Sequence, residues 1–443
     1  MKDKQKLSLF DITMIVIGLV IGMGIFRTAK DAAAASSSPA MYFAVWILGG
    51  LIAICGALTY AEIGSRYPVT GGYYKIFAVC YHPSLAFGIN CIILISNAAS
   101  LSGVALIGSE YIAPLLFKNS TAFNEAMLAI AAIVSFYGVN LMGLRMSSNT
   151  QNILMIIKMA MILVLIAAIF FPQLYHTNTT GVASVTHAVS TNNILLFGVA
   201  LKAVSFTYGG YQQTINFGEE VHNPQKNLPR GIVMGIITII TLYLCVNYSY
   251  YKIIGFEELK STRGIAAIVA EKMFGAAGGY TFSILLFLAV LAYVNVLLLS
   301  NPRVMYAMSL DGILPKAFKK KDEKKDVLTV SLSVFAGICV IVLCFADRFD
   351  QILSFTIFLD SIGMATSAGA IFILRKRTKH LDNTGIYKMK FFPLLPIIFI
   401  VAYIFVGTVI AITNPEYAIT GISVLTASIV LYFIFYKKQK PNV

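Results

Sequence analysis

Apolar runs of about twenty residues recur twelve times along the chain, separated by short polar or charged connections. They lie at about 10–29, 41–63, 84–116, 124–143, 150–171, 192–218, 230–252, 277–308, 327–347, 350–374, 391–413 and 416–436. A helix of about 20 residues rises about 30 Å, the thickness of a bilayer's hydrocarbon core, so each run predicts one membrane span. The third and eighth runs exceed that length and must tilt or protrude. Two runs carry an interruption. Gly22 and Gly24 sit inside the first, and Gly209-Gly210 inside the sixth. A spanning helix satisfies its own backbone, so glycine pairs at these depths predict places where the chain unwinds and offers bare N–H and C=O groups.

The count of spans carries an organisation. Spans 1–5 form one unit, about residues 10–171, and spans 6–10 another, about 192–374. An odd number per unit makes the second copy enter from the opposite side, so an inverted repeat is expected, each unit opening with a broken span. Paired interruptions at corresponding positions point to a secondary transporter with its site near the midplane. Spans 11 and 12, about 391–436, fall outside the repeat, and the whole chain, 1–443, reads as a single transmembrane domain.

Composition agrees. With 58% hydrophobic and 12% charged residues, against roughly 25% charged in soluble domains, no stretch remains for a soluble module. The net charge of +14 does not mark a nucleic-acid binder, because 24 Lys/Arg fall on the side shared by both termini and 8 on the other, with Lys158 and Lys202 within spans. That asymmetry predicts a multi-pass protein with both termini cytoplasmic. The six cysteines lack the spacing of a zinc site, the histidines lie in loops or at span ends, and neither a metal nor another cofactor is expected.

Several motifs, in order, resemble the amino acid-polyamine-organocation superfamily, and most closely its L-amino-acid transporter branch of bacterial type. They are Gly22 to Phe26, Ala57 to Gly64 with Pro68 to Gly72, Phe206 to Tyr211, Gly218 to Arg230 and Asn301 to Gly312. The resemblance implies an all-α, LeuT-like membrane fold of twelve helices with a 5+5 inverted repeat, discontinuous helices 1 and 6, and amino acid transport by alternating access. It implies that Val20, Ile21, Gly22, Met23, Gly24 and Ile25 of the first break, with Phe206, Thr207, Tyr208, Gly209, Gly210 and Tyr211 of the second, bind the substrate. Amides at the restart of span 1 would face the carboxylate, and carbonyls at Val20, Ile21, Phe206 and Gly209 the ammonium. Met23 departs from the small hydroxyl residue common in the family, leaving the carboxylate to the backbone. The partner cysteine of the eukaryotic members is missing from 117–123, so no disulfide-linked heavy chain is expected.

Phe206 is the expected outer lid, packing being the plainer role for an aromatic there. Lys158, in span 5, is a costly intramembrane charge. The resemblance places its ammonium where sodium-coupled relatives hold sodium, tying spans 1 and 8; the alternative is snorkelling to the cytoplasmic face. Lys202 and Asp360, each about ten residues in from the outer end of its span, are expected to pair as the outer vestibule closes, with separate solvation as the alternative and Glu110 as a competing partner. Glu219, Glu220 and Arg230 form either an inner gate with Arg66 or a solvated helix end. No carboxylate lies beside either break in sequence, which favours neutral side chains. The reading is therefore a sodium-independent exchanger of neutral L-amino acids, not an enzyme. A proton-coupled symporter on the same fold and a membrane sensor are the alternatives.

Overall fold

The computed structural model describes residues 6–437 apart from 23, 70–71, 120, 176–190, 263, 326, 346–348 and 380–384. The first span is two helices, α1 (Leu9–Val20) and α2 (Gly24–Ala34), set at 46° to each other. The second and third are α3 (Pro39–Arg66) and α5 (Pro83–Leu116), joined through a short helix α4 (Gly72–Cys80). Then follow α6 (Ala122–Leu141), α7 (Leu144–Ala167) and α8 (Thr191–Tyr208). The span of α8 continues past Gly209-Gly210 as a 3₁₀ segment, Tyr211–Asn216. Next comes α9 (Pro224–Ile254), and two short helices, α10 (Phe256–Leu259) and α11 (Ile265–Phe274), precede α12 (Ala276–Leu310). The last four spans are α13 (Thr329–Phe345), α14 (Phe349–Arg377), α15 (Leu394–Thr413) and α16 (Pro415–Lys437). These are the twelve predicted crossings, with boundaries displaced by a few residues. The seventeen residues of α13 rise about 25 Å, at the short end of what crosses a bilayer.

Local chemistry explains where the helices start. Ser8 caps α1 through the amide of Asp11, and Asp11 returns a carboxylate to the amide of Ser8. Pro39, Pro83 and Pro224 stand in the first turn of their helices, where a missing N–H costs nothing. Helices α10 and α11 were not foreseen: the connection between spans 7 and 8 buries Leu259, Ile265 and Val269 completely instead of looping through solvent. Likewise the connection after span 2 contains the helix α4.

Burial sorts the helices into a centre and a rim. The most apolar stretch of α5 is 83% buried, whereas those of α6 and α16 are 22% buried, so α5 is a central post and α6 and α16 lie at the lipid. Exposed Met127 and Val134 on α6, and Ile419, Ile422 and Phe433 on α16, are the lipid-facing surface this requires. Polar side chains tie the interior helices together. Asn295 of α12 accepts from Asn140 of α6 at 2.9 Å and Ser147 of α7 at 3.0 Å, and donates to Gln151 at 3.0 Å. Twelve alternating crossings return the chain to the side on which it began. On that side the backbone of Leu7 pairs with Glu220 and His222.

Candidate substrate site

The two interrupted spans meet at one cavity. At the first break, the amide of Gly22 turns back to the carbonyl of Val20 at 2.7 Å, which ends α1. The chain restarts as helix at Gly24, so the amides of Gly24, Ile25 and Phe26 have no intrahelical acceptor, and none binds elsewhere among the described residues. Amides at a helix start, at the positive end of its dipole, attract anions. At the second break, Gly210 has φ +113°, and its amide binds the side chain of Gln212 at 2.9 Å. A Cβ on Gly210 would collide with the carbonyl of Leu19, so only glycine lets the two breaks approach this closely. Helices α2 and α8 are in equally tight contact. A Cβ on Gly24 would lie 2.7 Å from Thr207 Oγ1, and the hydroxyls of Thr28 and Thr207 share a hydrogen bond at 2.5 Å.

The cavity spans about 440 Å³ including its open mouth. From the breaks it is lined by Val20, Gly22, Gly24, Phe206, Thr207 and Gly209, with Gly210, Gln212 and Gln213 beyond. Asn97, Ser100 and Val104 of α5, Tyr293 of α12 and Asp360 of α14 complete the wall. Tyr293 shares a hydrogen bond with Ser100 at 2.8 Å, and its ring touches the position of Gly22. Gln213 donates to Asn97 at 3.0 Å, and Asn97 to Asn301 at 2.7 Å. A second cavity of about 260 Å³ shares Asn97, Gln212, Gln213 and Asp360 with the first.

Other expected site residues stand elsewhere. Met23 lies outside the described residues. Ile21 and Ile25 are fully buried and do not line the cavity. Tyr208 packs against Trp46 and Tyr243, and Tyr211 against Tyr60 and Gly56, so both tyrosines face α3 and not the cavity. Three of the four carbonyls expected to receive an ammonium are already engaged: Val20 accepts from Tyr243 Oη at 3.2 Å, Ile21 from Lys158 Nζ at 2.5 Å, and Phe206 from the amide of Gly209 at 3.3 Å, whereas the carbonyl of Gly209, a residue of the cavity wall, accepts no hydrogen bond among the described residues. Lys158 itself is completely buried, which rules out snorkelling, and it ties α7 to the first break.

The expected Lys202–Asp360 pair is not formed in this structure. Lys202 Nζ donates to Ser354 at 3.2 Å, while Asp360 accepts from Ser96. Counting residues from helix ends assumes that α8 and α14 start at equal heights. The contact falls six residues short of Asp360, an offset of about 9 Å. Glu110 turns to Arg27, at 3.7 Å, and not to Lys202. Nor does Arg66 pair with Glu220, and the side chain of Glu219 lies outside the described residues. It binds Glu62 of its own helix at 2.7 Å, and Arg375 of α14 binds the same carboxylate at 2.7 Å. Met389 N–H adds a bond to Glu62 at 2.9 Å, and Arg66 reaches Thr378 at 3.0 Å. This cluster, with the Lys75–Asp311 pair, ties α3 to α14 and α4 to the end of α12.

Broken spans of this kind occur in several transport folds, and sequence comparison decides among them. Residues 7–435 match the model of the amino acid permease family. The chain belongs to that family. With that membership, twelve crossings with spans 1 and 6 broken are the LeuT-like fold, and the protein is a multi-pass transporter and not an enzyme. The serine/threonine exchanger SteT of Bacillus subtilis is 27% identical across 99% of the permease and 98% of its own length. The mouse Asc-type amino acid transporter 1 is 24% identical over 99% of the permease and 83% of its own length. A methylthioribose transporter of Bacillus subtilis is 29% identical over 89% and 86%. The polar residues that sequence missed in this permease's cavity, Asn97, Ser100, Gln212, Gln213 and Tyr293, carry no local signal. They are ordinary polar residues in long spans, brought together only by packing.

Proposed function

We propose that the protein exchanges neutral L-amino acids across the inner membrane by alternating access, without sodium, with both termini in the cytoplasm and no disulfide-linked heavy chain. The reading includes one transport domain with repeats at about 10–171 and 192–374. The observation that carries it is the meeting of two broken spans at one cavity, with Gly24, the first residue of α2, in its wall. An α-carboxylate there gains N–H donors and the positive end of a helix dipole. Phe206, lining the same cavity from α8, serves as the lid. Sodium independence rests on Lys158: its ammonium already supplies a cation to the carbonyl of Ile21, the group a bound metal ion would otherwise neutralise. Relatives named as a serine/threonine exchanger and as an amino acid transporter support exchange of amino acids. One named for methylthioribose means that likeness alone does not choose the substrate, so the geometry of the cavity must.

The test is efflux of labelled amino acid from proteoliposomes in sodium-free buffer, with and without unlabelled amino acid outside. Efflux that requires an amino acid on the far side is the expected result. Efflux that proceeds without one and follows a pH gradient rejects exchange and makes proton symport, with Lys158 as the coupling group, the function.

A further inference from the structure

Asp360 is a carboxylate in the wall of the candidate site, contributed by α14 and standing where the two cavities join. One of its oxygens accepts from Ser96. The other makes no hydrogen bond among the described residues, and it is not sealed from the cavity. Its neighbours in the wall come from α5 and from the segment after the second break, and they form a joined series: Gln213 donates to Asn97, and Asn97 to Asn301. An unmatched carboxylate oxygen, held in the membrane interior, is costly unless the occupant supplies a donor.

Resting on the amino-acid reading above, we infer that Asp360 with Asn97 and Gln213 forms a subsite for the substrate's side chain, and that it selects side chains bearing a hydrogen-bond donor. The α-carboxylate and α-ammonium share one carbon, so both must sit at the breaks, where the backbone groups are. Asp360, on an unbroken helix, is left to meet whatever the α-carbon carries. The hydroxyl or amide of a neutral side chain gives its unmatched oxygen a proton to accept. A side-chain carboxylate is repelled, and an alkyl side chain leaves the oxygen desolvated and unpaired, the condition under which a polar site discriminates most strongly. This departs from the expectation drawn from sequence, where no carboxylate was near either break: Asp360 is remote in the chain and adjacent only in the fold.

The test uses two pairs of nearly equal shape, threonine against valine and asparagine against aspartate, as external substrates for exchange in proteoliposomes. Wild type should prefer threonine over valine, and asparagine over aspartate, each by at least about tenfold in apparent kcat/KM, the scale of one hydrogen bond to a charged group. Asp360→Asn keeps the shape, removes the charge and adds a donor. It should lower the threonine preference and raise aspartate exchange relative to asparagine by about tenfold, a gain that a merely structural role would not produce. Equal use of threonine and valine by wild type overturns the proposal, and needs no variant to fold. A uniform loss of all four substrates in Asp360→Asn also overturns it, assigning the carboxylate to the α-ammonium. Wild type that exchanges no amino acid of any kind instead refutes the amino-acid reading itself, an outcome distinct from exchange without discrimination.

Discussion

The two breaks are built differently although both face one cavity. At the first, only three residues separate α1 from α2, and helix resumes at once. Its freed carbonyls are held from two other spans, Val20 by Tyr243 of α9 and Ile21 by Lys158 of α7. At the second, α8 stops at Tyr208 and the chain continues as 3₁₀ turns through Tyr211–Asn216, with Gln212, Gln213 and Asn216 buried. A 3₁₀ turn has poorer hydrogen-bond geometry than an α-helix and rarely runs long. The first break is thus a braced hub that presents donors, and the second is a looser segment that presents side-chain amides. Rearrangement during transport is expected to concentrate in the second, with the first as its pivot.

The largest effect should come from substituting the residue where the breaks touch. Gly210→Ala places a Cβ against the backbone of Leu19 and forces a side chain into a φ of +113°. Strain of this kind costs on the order of 1–3 kcal/mol before any clash. Exchange should fall by about a hundredfold or more, with a lower Tm for the purified protein. The adjacent Gly209→Ala supplies the contrast, since its Cβ would meet Phe206 O at 3.4 Å, an ordinary contact. It should retain exchange to within about threefold. Equal damage from both substitutions would show that the whole segment is rigid, and the distinction between the breaks would fall.

Next in size is the brace itself. Lys158→Met removes the ammonium while keeping much of the side chain's volume, leaving the carbonyl of Ile21 unpaired in a dry interior. A hydrogen bond to a charged group contributes about 1.5–3 kcal/mol, so exchange should drop by about tenfold or more. Lys158→Gln separates donor from charge: its amide can donate to Ile21 but cannot stand in for a cation. Recovery by glutamine to near wild-type rates would make the brace a matter of donors alone and would remove the support for sodium independence. Sodium-stimulated exchange in Lys158→Met would strengthen that support.

The spans and the breaks were legible in sequence for separate reasons. Hydropathy registers crossings because lipid offers no partner to a polar backbone, and Gly22, Gly24, Gly209 and Gly210 mark breaks because an unbroken span needs none of them. Direction was not legible. Beyond Gly210 the turn changes from 3.6 to 3.0 residues, so the faces of Tyr208 and Tyr211 could not be projected, and both point to α3. Height was not legible either. Lys202 meets Ser354 because helix starts do not share a plane. Arg27, near the end of the first predicted span, carried no signal of its partner, yet it is 8% exposed within α2 and bound to Asp31 at 3.1 Å. Asp360 was seen, but as a gate for Lys202, because nothing in the order of residues says that α14 turns it toward the cavity.

The smallest predicted effect probes the other arm of the brace. Tyr243 Oη reaches Val20 O at 3.2 Å, but that carbonyl also accepts from the amide of Gly22 at 2.7 Å. Tyr243→Phe therefore leaves Val20 with one partner, and it keeps the ring that packs on Tyr208 and Trp46. Interhelical hydrogen bonds in membranes average about 0.6 kcal/mol, so the change in exchange should stay within about threefold, below that of Lys158→Met. If Tyr243→Phe instead matches the lysine substitution, the hub depends on both arms together, and the pivot lies as much on α9 as on α7.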